Sequence, residues 1–313
     1  MWLVLLSHAQ IPGFAFQGGL AGVTLFFVLS GYLITSLLLA EHAARGRVNL
    51  RAFYMRRALR LLPALLVLVV VAILGYRLGL WANRPADRVA VAAVLFYAGN
   101  FAAWQNLSLG VLGHTWSLGV EEQFYILWPA LLLIGYRSLG PRRLAALALL
   151  VALADTPWRA AVLAGGDWEH VMVLLDGHAD ALLAGCAIAL LNGRVPAWVG
   201  WIGVAALVAA DMVWPTNSIV LFPVAALAGA LAVAGCPAGL AWRPLAVTGQ
   251  ISYGLYLWHF LLIDNGLPWP VVIGLSYAIA GLSFVMVERP FLRLKNRYSS
   301  ASRVPQPALA VAS

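Results

Sequence analysis

Long apolar runs separated by short polar stretches form most of the chain. These runs lie at 20–40, 61–80, 116–136, 143–161, 179–193, 196–214, 218–235, 244–263 and 269–287. Each is near the length of roughly 20 residues that a helix needs to cross the hydrocarbon core of a bilayer, or slightly shorter. The pattern therefore predicts an all-α fold, a polytopic bundle of transmembrane helices.

Two further apolar segments do not fit a complete span. Residues 1–7 are far too short to cross a bilayer, so we expect a truncated first helix. Residues 89–104 are also short and contain Gly99 and Asn100, so we expect a re-entrant or broken helix. Such a segment is tolerated where protein or water covers the freed backbone groups. With the truncated helix, the prediction is about ten spans.

Composition agrees with a membrane protein, because the chain is 63% hydrophobic and 10% charged, whereas soluble domains carry about 25% charged residues. The net charge of +8 does not indicate a nucleic-acid partner, since basic loops also orient membrane proteins. The two cysteines, Cys186 and Cys236, lie in apolar runs and are interpreted as packing residues. They indicate neither a disulfide framework nor a metal site.

Basic residues predict the orientation of the bundle. They cluster at 45–60 and 289–297, and the positive-inside rule places both clusters on the cytoplasmic side of the cell membrane. The predicted topology then has both termini in the cytoplasm. It places His8 and His114 towards the outer half of the membrane.

Two adjacent carboxylates, Glu121 and Glu122, lie in the apolar segment HTWSLGVEEQFYILWP. A carboxylate in a membrane helix disfavours insertion by a few kcal/mol, so such a pair is by default a candidate functional site. The alternative is an interfacial pair that binds arginine or water.

Six segments, in chain order, resemble the successive signatures of the acyltransferase 3 family of integral membrane O-acyltransferases. They are GVTLFFVLSGYLITSLLL, FYMRRALRLLP, HTWSLGVEEQFYILWP, DGHADALLAGCAIALL, ISYGLYLWHF and VERPFLRLK. The resemblance implies one membrane acyltransferase domain at 1–297, and we expect 298–313 to form a disordered cytoplasmic tail. It also implies transfer of an acyl group, most often acetyl, from acyl-coenzyme A to a hydroxyl of a carbohydrate or glycosylated small molecule in the cell envelope.

The family places a catalytic histidine at the position of His8, with an arginine on the first helix and ten residues between the two. The arginine would fall before Met1 and is absent from this sequence. As a general base, His8 would take the proton of the acceptor hydroxyl. Glu121 or Glu122 is the candidate carboxylate partner, and the sequence does not choose between them. The alternative is that His8 caps the first helix at the interface.

Arg56, Arg57 and Arg60 match the family's basic motif, and guanidinium groups bind phosphates bidentately. We therefore expect them to bind the phosphates of acyl-coenzyme A. The alternative is that they only anchor the topology, which needs no ligand.

A third set of polar or aromatic residues is assigned to the acceptor side or to a structural role. The set is His114, Trp116, Asp176, Asp180 and His259. No metal is assigned, because alternating acidic residues at a helix start are as easily a solvated N-cap. Two alternative functions stay open: a polytopic transporter, and a truncated non-catalytic relative of the acyltransferases. The expected partners are the lipid bilayer and the carbohydrate acceptor.

Overall fold

A computed structural model of the chain describes residues 1–8, 19–81, 86–215, 217–236, 239, 242–263 and 267–295. The predicted tail at 298–313 lies outside these residues. The helices of the first half are α1 (Trp2–His8), α2 (Leu20–Arg45), α3 (Leu50–Arg77), α4 (Arg88–Leu95), α5 (Gly99–Trp104), α6 (Trp116–Ala164) and α7 (Trp168–Val173). Those of the second half are α8 (Ala179–Leu191), α9 (Ala197–Val213), α10 (Leu221–Gly235), α11 (Arg243–Gln250), α12 (Ser252–Ile263), α13 (Trp269–Ser283) and α14 (Arg289–Lys295). The described residues contain no strand, so the all-α prediction is confirmed.

Four helical segments are long and apolar enough to cross a membrane. They are Leu20–Arg45, Leu50–Arg77, Gly110–Ala164 and Trp269–Leu294. Four shorter apolar helices accompany them, namely α8, α9, α10 and α12. The chain therefore has the helices of a membrane protein, and the count of about ten spans stays a prediction.

Helix α3 begins eleven residues earlier than the predicted span at 61–80. The Asn49 side chain accepts a hydrogen bond from the Ala52 amide at 3.0 Å and so caps the helix. The basic cluster from residue 51 to residue 60, which lies before the predicted span, is therefore the first part of α3. Pro63 lies inside the helix.

Helix α6 joins two predicted spans, 116–136 and 143–161, across a break at Gly140. Gly140 has φ 75° and ψ 169°, a conformation that a residue with a Cβ rarely adopts. Pro141 follows, and a proline disfavours the helical conformation in the residue before it. The single predicted span at 244–263 is instead two helices, α11 and α12, which are separated at Ile251.

Helices α4 and α5 form a hairpin whose two ends meet. The Asp87 amide donates to the Ser108 carbonyl, and the Ser108 amide donates to the Asp87 carboxylate, both at 2.8 Å. At the tip, Asn100 exchanges hydrogen bonds with Gln123 of α6. A Cβ on Gly119 would lie 2.6 Å from the Asn100 side-chain oxygen, so a glycine is needed for this close approach. The predicted broken helix at 89–104 is thus two short helices, of which α5 docks against α6.

Helices α2 and α8 pack through their backbones. A Cβ on Gly31 would overlap the Leu182 carbonyl oxygen, and one on Gly185 would overlap the Val28 carbonyl oxygen. Small residues that let helix backbones approach are typical of membrane helix interfaces. This contact fixes α2 and α8 beside α6, which carries the candidate site.

Candidate active site

His8, at the last position of α1, faces His259 of α12. The His8 Nδ1 and His259 Nε2 atoms are 3.3 Å apart. The other nitrogen of His259, Nδ1, lies 3.1 Å from the Leu255 oxygen and 2.8 Å from the Tyr256 oxygen. Two carbonyl acceptors assign the proton of a neutral His259 to Nδ1, so its Nε2 accepts from the Nδ1–H of His8. The Nε2 of His8 is then left with its lone pair, the state that a general base needs.

His114 completes a cluster of three imidazole rings, which we name the histidine cluster (His8, His114 and His259). Its ring is stacked on Phe260 at 5.0 Å and lies 5.5 Å from the His259 ring. Both ring nitrogens of His114 are buried without a hydrogen-bond partner among the described residues. The Tyr256 hydroxyl is bonded to the His114 carbonyl oxygen and to Ser117 Oγ. The cluster therefore adjoins the first turn of α6.

The two carboxylates of α6 lie one turn further along and point to different helices. Glu121 is buried and accepts hydrogen bonds from the hydroxyls of Ser30 in α2 and Tyr125, the latter at 3.2 Å. Glu122 forms an ion pair with Arg57 of α3 at 2.6 Å. Successive residues of a helix are about 100° apart around its axis, so one carboxylate meets α2 and the other α3.

The described contacts do not include the expected pairing of His8 with Glu121 or Glu122. Among the hydrogen bonds and ion pairs that the structure describes, neither carboxylate is bonded to His8. The partner of His8 is His259, which the sequence assigned only to the acceptor side or to a structural role. The signal for it is weak, because a lone histidine in an apolar helix is equally compatible with a packing role.

The three arginines of α3 occupy different environments rather than one cradle. Arg56 pairs with the buried carboxylate of Glu41 at 3.4 Å. Arg57 pairs with Glu122, and its guanidinium lies 3.4 Å from the centre of the Tyr125 ring. Arg60 is exposed, and no ion pair joins it to another described residue. Of the three, Arg60 has the guanidinium that is most available to a ligand.

Asp180 belongs to a buried ion triad with Asp155 and Arg159, which the sequence analysis missed. The Arg159 guanidinium is fully buried and donates to Asp155 at 2.9 Å, to Asp180 at 2.7 Å and to the Gly177 carbonyl at 3.0 Å. The i, i+4 spacing of Asp155 and Arg159 on one helix was the available signal. The triad ties α6 to the start of α8, which is a structural role for Asp180.

Asp176 and Trp116 both contact the segment before α8, since Asp176 belongs to it and Trp116 packs on His178 of the same segment. Asp176 accepts from Trp158 at 2.9 Å and lies 2.7 Å from Nε2 of His170. The Trp116 ring stacks on His178 at 5.2 Å with an interplanar angle of 27°. Within the described part of the chain, no group of three His, Cys, Asp or Glu residues is placed to hold a metal ion.

Comparison with known proteins decides the family. Residues 1–287 match the model of the acyltransferase domain family known as acyltransferase 3. The chain belongs to this family. The acyltransferase 3 membership confirms the resemblance that the six motifs predicted, and no solved structure matches the chain significantly.

Three relatives of this acyltransferase 3 chain are named as O-acetyltransferases. The peptidoglycan O-acetyltransferase OatA of Listeria monocytogenes is 30% identical over 88% of this chain and 51% of the relative. The putative peptidoglycan O-acetyltransferase YrhL of Bacillus subtilis is 31% identical over 92% of this chain and 52% of its own length. The O-acetyltransferase OatA of Staphylococcus aureus is 30% identical over 79% and 46%, respectively. The chain thus spans about half the length of these relatives.

In this acyltransferase 3 chain the polar groups follow one side of α6. From its start they are the Tyr256-bonded Ser117, then Glu121, then Tyr125 beneath Arg57. At 1.5 Å per residue, Ser117 and Tyr125 are about 12 Å apart along the helix. We name this the polar column (Ser117, Glu121, Tyr125 and Arg57). It connects the histidine cluster with the arginine-bearing face of α3.

Proposed function

We propose that this chain is a membrane O-acyltransferase that moves an acetyl group from acetyl-coenzyme A to a hydroxyl of a cell-envelope carbohydrate. One observation carries the proposal: His8 Nδ1 lies 3.3 Å from His259 Nε2, while carbonyl oxygens face His259 Nδ1. With the proton of His259 on Nδ1, His8 donates through Nδ1 and its Nε2 is free to take a proton. Family membership and the O-acetyltransferase names of the relatives support the reaction class.

In the proposed reaction, His8 Nε2 takes the proton of the acceptor hydroxyl as its oxygen attacks the thioester carbonyl carbon. A new C–O bond forms and the C–S bond breaks. The imidazolium of His8 then returns the proton to the departing coenzyme A thiolate. His259 holds the His8 ring through Nδ1 in both steps, so it is a positioning residue in this scheme.

The donor lies on the α3 side of the column in this proposal. Arg60 contacts the coenzyme phosphates directly, because its guanidinium is exposed and without an ion-pair partner among the described residues. Arg56 and Arg57, which are held by Glu41 and Glu122, add positive potential to the same face. Acyl-coenzyme A is the donor substrate, and no metal takes part in the proposed scheme.

The proposed topology is that of a multi-pass protein of the cell membrane with both termini in the cytoplasm. The arginines of α3 then face the cytoplasmic donor, and the histidine cluster lies in the outer half. In this orientation the α4–α5 hairpin enters from the outer side and returns to it, because its two ends are bonded to each other at Asp87 and Ser108. The acceptor approaches from outside.

The test of this function is His8→Ala in reconstituted membranes. We expect the release of free coenzyme A thiol in the presence of an oligosaccharide acceptor to fall by roughly 10²–10⁴-fold, because a general base is removed. The amount of folded protein, measured by size-exclusion chromatography, should stay near wild type. His42→Ala, in the same chain but on α2, is the matched control and should keep its turnover. If His8→Ala retains more than a few per cent of the wild-type rate, His8 is not the base.

A further inference from the structure

An open groove of about 420 Å³ lies beside the histidine cluster, at the opposite end of the polar column from Arg57. Its walls come from the segment that follows α5, the 3-10 turn at Gly110–Thr115, and α7. Gly113 and Trp116, which flank the His114 position in the chain, both line it. The volume is in the range of small-molecule binding sites, which is roughly 300–1,000 Å³.

The groove adjoins the reacting end of the proposed site. His114 stacks on Phe260, and the Phe260 ring meets the His8 ring edge-on at 5.8 Å. The Phe260 ring therefore contacts both His114 and the proposed base, His8. A Cβ on Gly113, which lines the groove, would lie 3.7 Å from the Phe260 ring, so this ring is also close to the groove wall.

Trp116 gives the groove a rigid aromatic surface. The indole is half-buried and lines the groove, while its stacking on His178 and its edge contact with Phe27 hold it in one orientation. The face of an aromatic ring carries negative quadrupole charge and attracts polarised C–H groups. The C–H face of a pyranose ring supplies such groups.

The described lining of the groove carries one negative charge, which bears on the kind of sugar that it can bind. Of the described lining residues, Glu169 alone carries a charge, and its exposed side chain forms no hydrogen bond or ion pair with another described residue. Asn106, which is also exposed and lines the groove, adds an amide. A carboxylate accepts strong hydrogen bonds from hydroxyls and repels a second carboxylate.

We propose that this groove binds the acceptor as a neutral sugar chain, with a pyranose ring against Trp116 and its hydroxyls bonded to Glu169 and Asn106. The inference deepens the proposed function and rests on it. Because Glu169 is the one charged group of the described lining, the groove rejects chains that carry a carboxylate on each sugar.

The test measures binding without any donor, in nanodiscs that contain the full chain. The probes are chitotetraose, a neutral tetrasaccharide, and tetragalacturonate, which carries four carboxylates. We expect chitotetraose to bind to the wild-type protein and tetragalacturonate not to bind. Glu169→Gln removes a charge-assisted hydrogen bond, so the Kd for chitotetraose should rise by roughly 3–10-fold. Trp116→Phe keeps an aromatic ring of smaller area, so the Kd for chitotetraose should rise by a smaller factor than in Glu169→Gln.

The matched control is Gln105→Lys, which makes the same change of +1 in charge at an exposed position outside the described groove lining. It should leave the Kd for chitotetraose unchanged. The inference is overturned if chitotetraose does not bind to wild type, if Glu169→Gln binds it normally, or if Gln105→Lys weakens it as much. If chitotetraose binds as expected but the wild-type protein transfers no acyl group, the proposed function is wrong, while the assignment of the groove as a sugar-binding site is retained. If transfer is normal but the acceptor KM is unchanged in both groove variants, the groove inference alone fails.

Discussion

The histidine cluster and the Asp155–Arg159–Asp180 triad are both polar groups among apolar helices, yet their hydrogen bonding differs. Both terminal nitrogens of Arg159 have carboxylate partners at 2.9 Å or less. In the histidine cluster, both ring nitrogens of His114 lack a partner among the described residues. The Arg159 Nε is also without a described partner, but the two terminal nitrogens bond both carboxylates and so hold one arrangement. A ring with no described partner on either nitrogen is costly to bury and needs another explanation. We therefore propose a structural role for the triad and a chemical role for the histidines.

The largest expected effect is on the triad. Arg159→Met leaves Asp155 and Asp180 facing each other without a cation, and breaking a buried ion pair costs about 3–5 kcal/mol. We expect a clear fall in the thermal unfolding temperature in detergent and in the yield of monodisperse protein. Arg143→Met removes the same side chain from an exposed position and should change neither quantity. If the Arg159→Met protein is as stable as wild type, the triad does not stabilise the fold.

The histidine cluster should respond mainly in rate. His259→Ala removes the acceptor that holds His8 Nδ1, so we expect kcat to fall by roughly 10²-fold, in addition to the loss of stability from the cavity that alanine leaves at this buried position. His259→Gln keeps an oxygen acceptor and should recover part of the loss. His259→Leu fills a similar buried volume without an acceptor, so rescue by glutamine but not by leucine separates a positioning role from a packing role. Single-turnover kinetics in nanodiscs measures the three variants.

Glu121 and Glu122, the two carboxylates of α6, can be compared with each other, and the expected effects are smaller than those above. Glu122→Gln weakens a charged pair with Arg57, and a hydrogen bond between charged groups is worth about 1.5–3 kcal/mol. We expect this loss to loosen the contact between α3 and α6 and to lower turnover by roughly tenfold or more. Glu121→Gln keeps an oxygen that accepts from Ser30 and Tyr125, so its effect should be less than about threefold. Equal effects in a donor titration would contradict the separate environments of the two side chains.

The smallest effect is expected from replacing Arg56, Arg57 and Arg60 together by lysine. Positive charge and hence orientation are kept, but planar guanidinium forks become point charges. The donor KM should rise severalfold while the acceptor KM stays constant. Cysteine-accessibility mapping at the start of α3 is the control for topology. Unchanged donor kinetics, together with a scrambled topology in the matching alanine variant, would show that the arginines are anchors.

The fold class and the family could be predicted from the sequence because both depend on local pattern. Apolar runs of bilayer length predict helices wherever they occur, and six ordered motifs identify a family without knowledge of contacts. Helix starts were less accurate, since the start of α3 depends on the single cap at Asn49. The break of α6 at Gly140, by contrast, follows from the Gly-Pro pair and separates the two predicted spans.

Partners within the candidate site were harder to predict because they depend on tertiary contacts. His8 and His259 are 251 positions apart in the sequence, and nothing local to either indicates the other. The same holds for Glu122 and Arg57, which were assigned to different roles although they form one ion pair. Asp155 and Arg159 were missed because they lie inside an apolar run that already satisfied the criterion for a span.

The backbone contact between α2 and α8 has a consequence for synthesis at the ribosome. Gly185 follows Gly31 by about 150 residues. At translation speeds of roughly 5–20 residues per second, α2 therefore waits roughly 8–30 s for the helix that covers its glycine face. During that interval lipid or the insertion machinery must occupy the face. A bulky residue at Gly31 would be compatible with contact to lipid, so the nascent helix would insert normally. The same residue would exclude α8, so the bundle would fail to pack later.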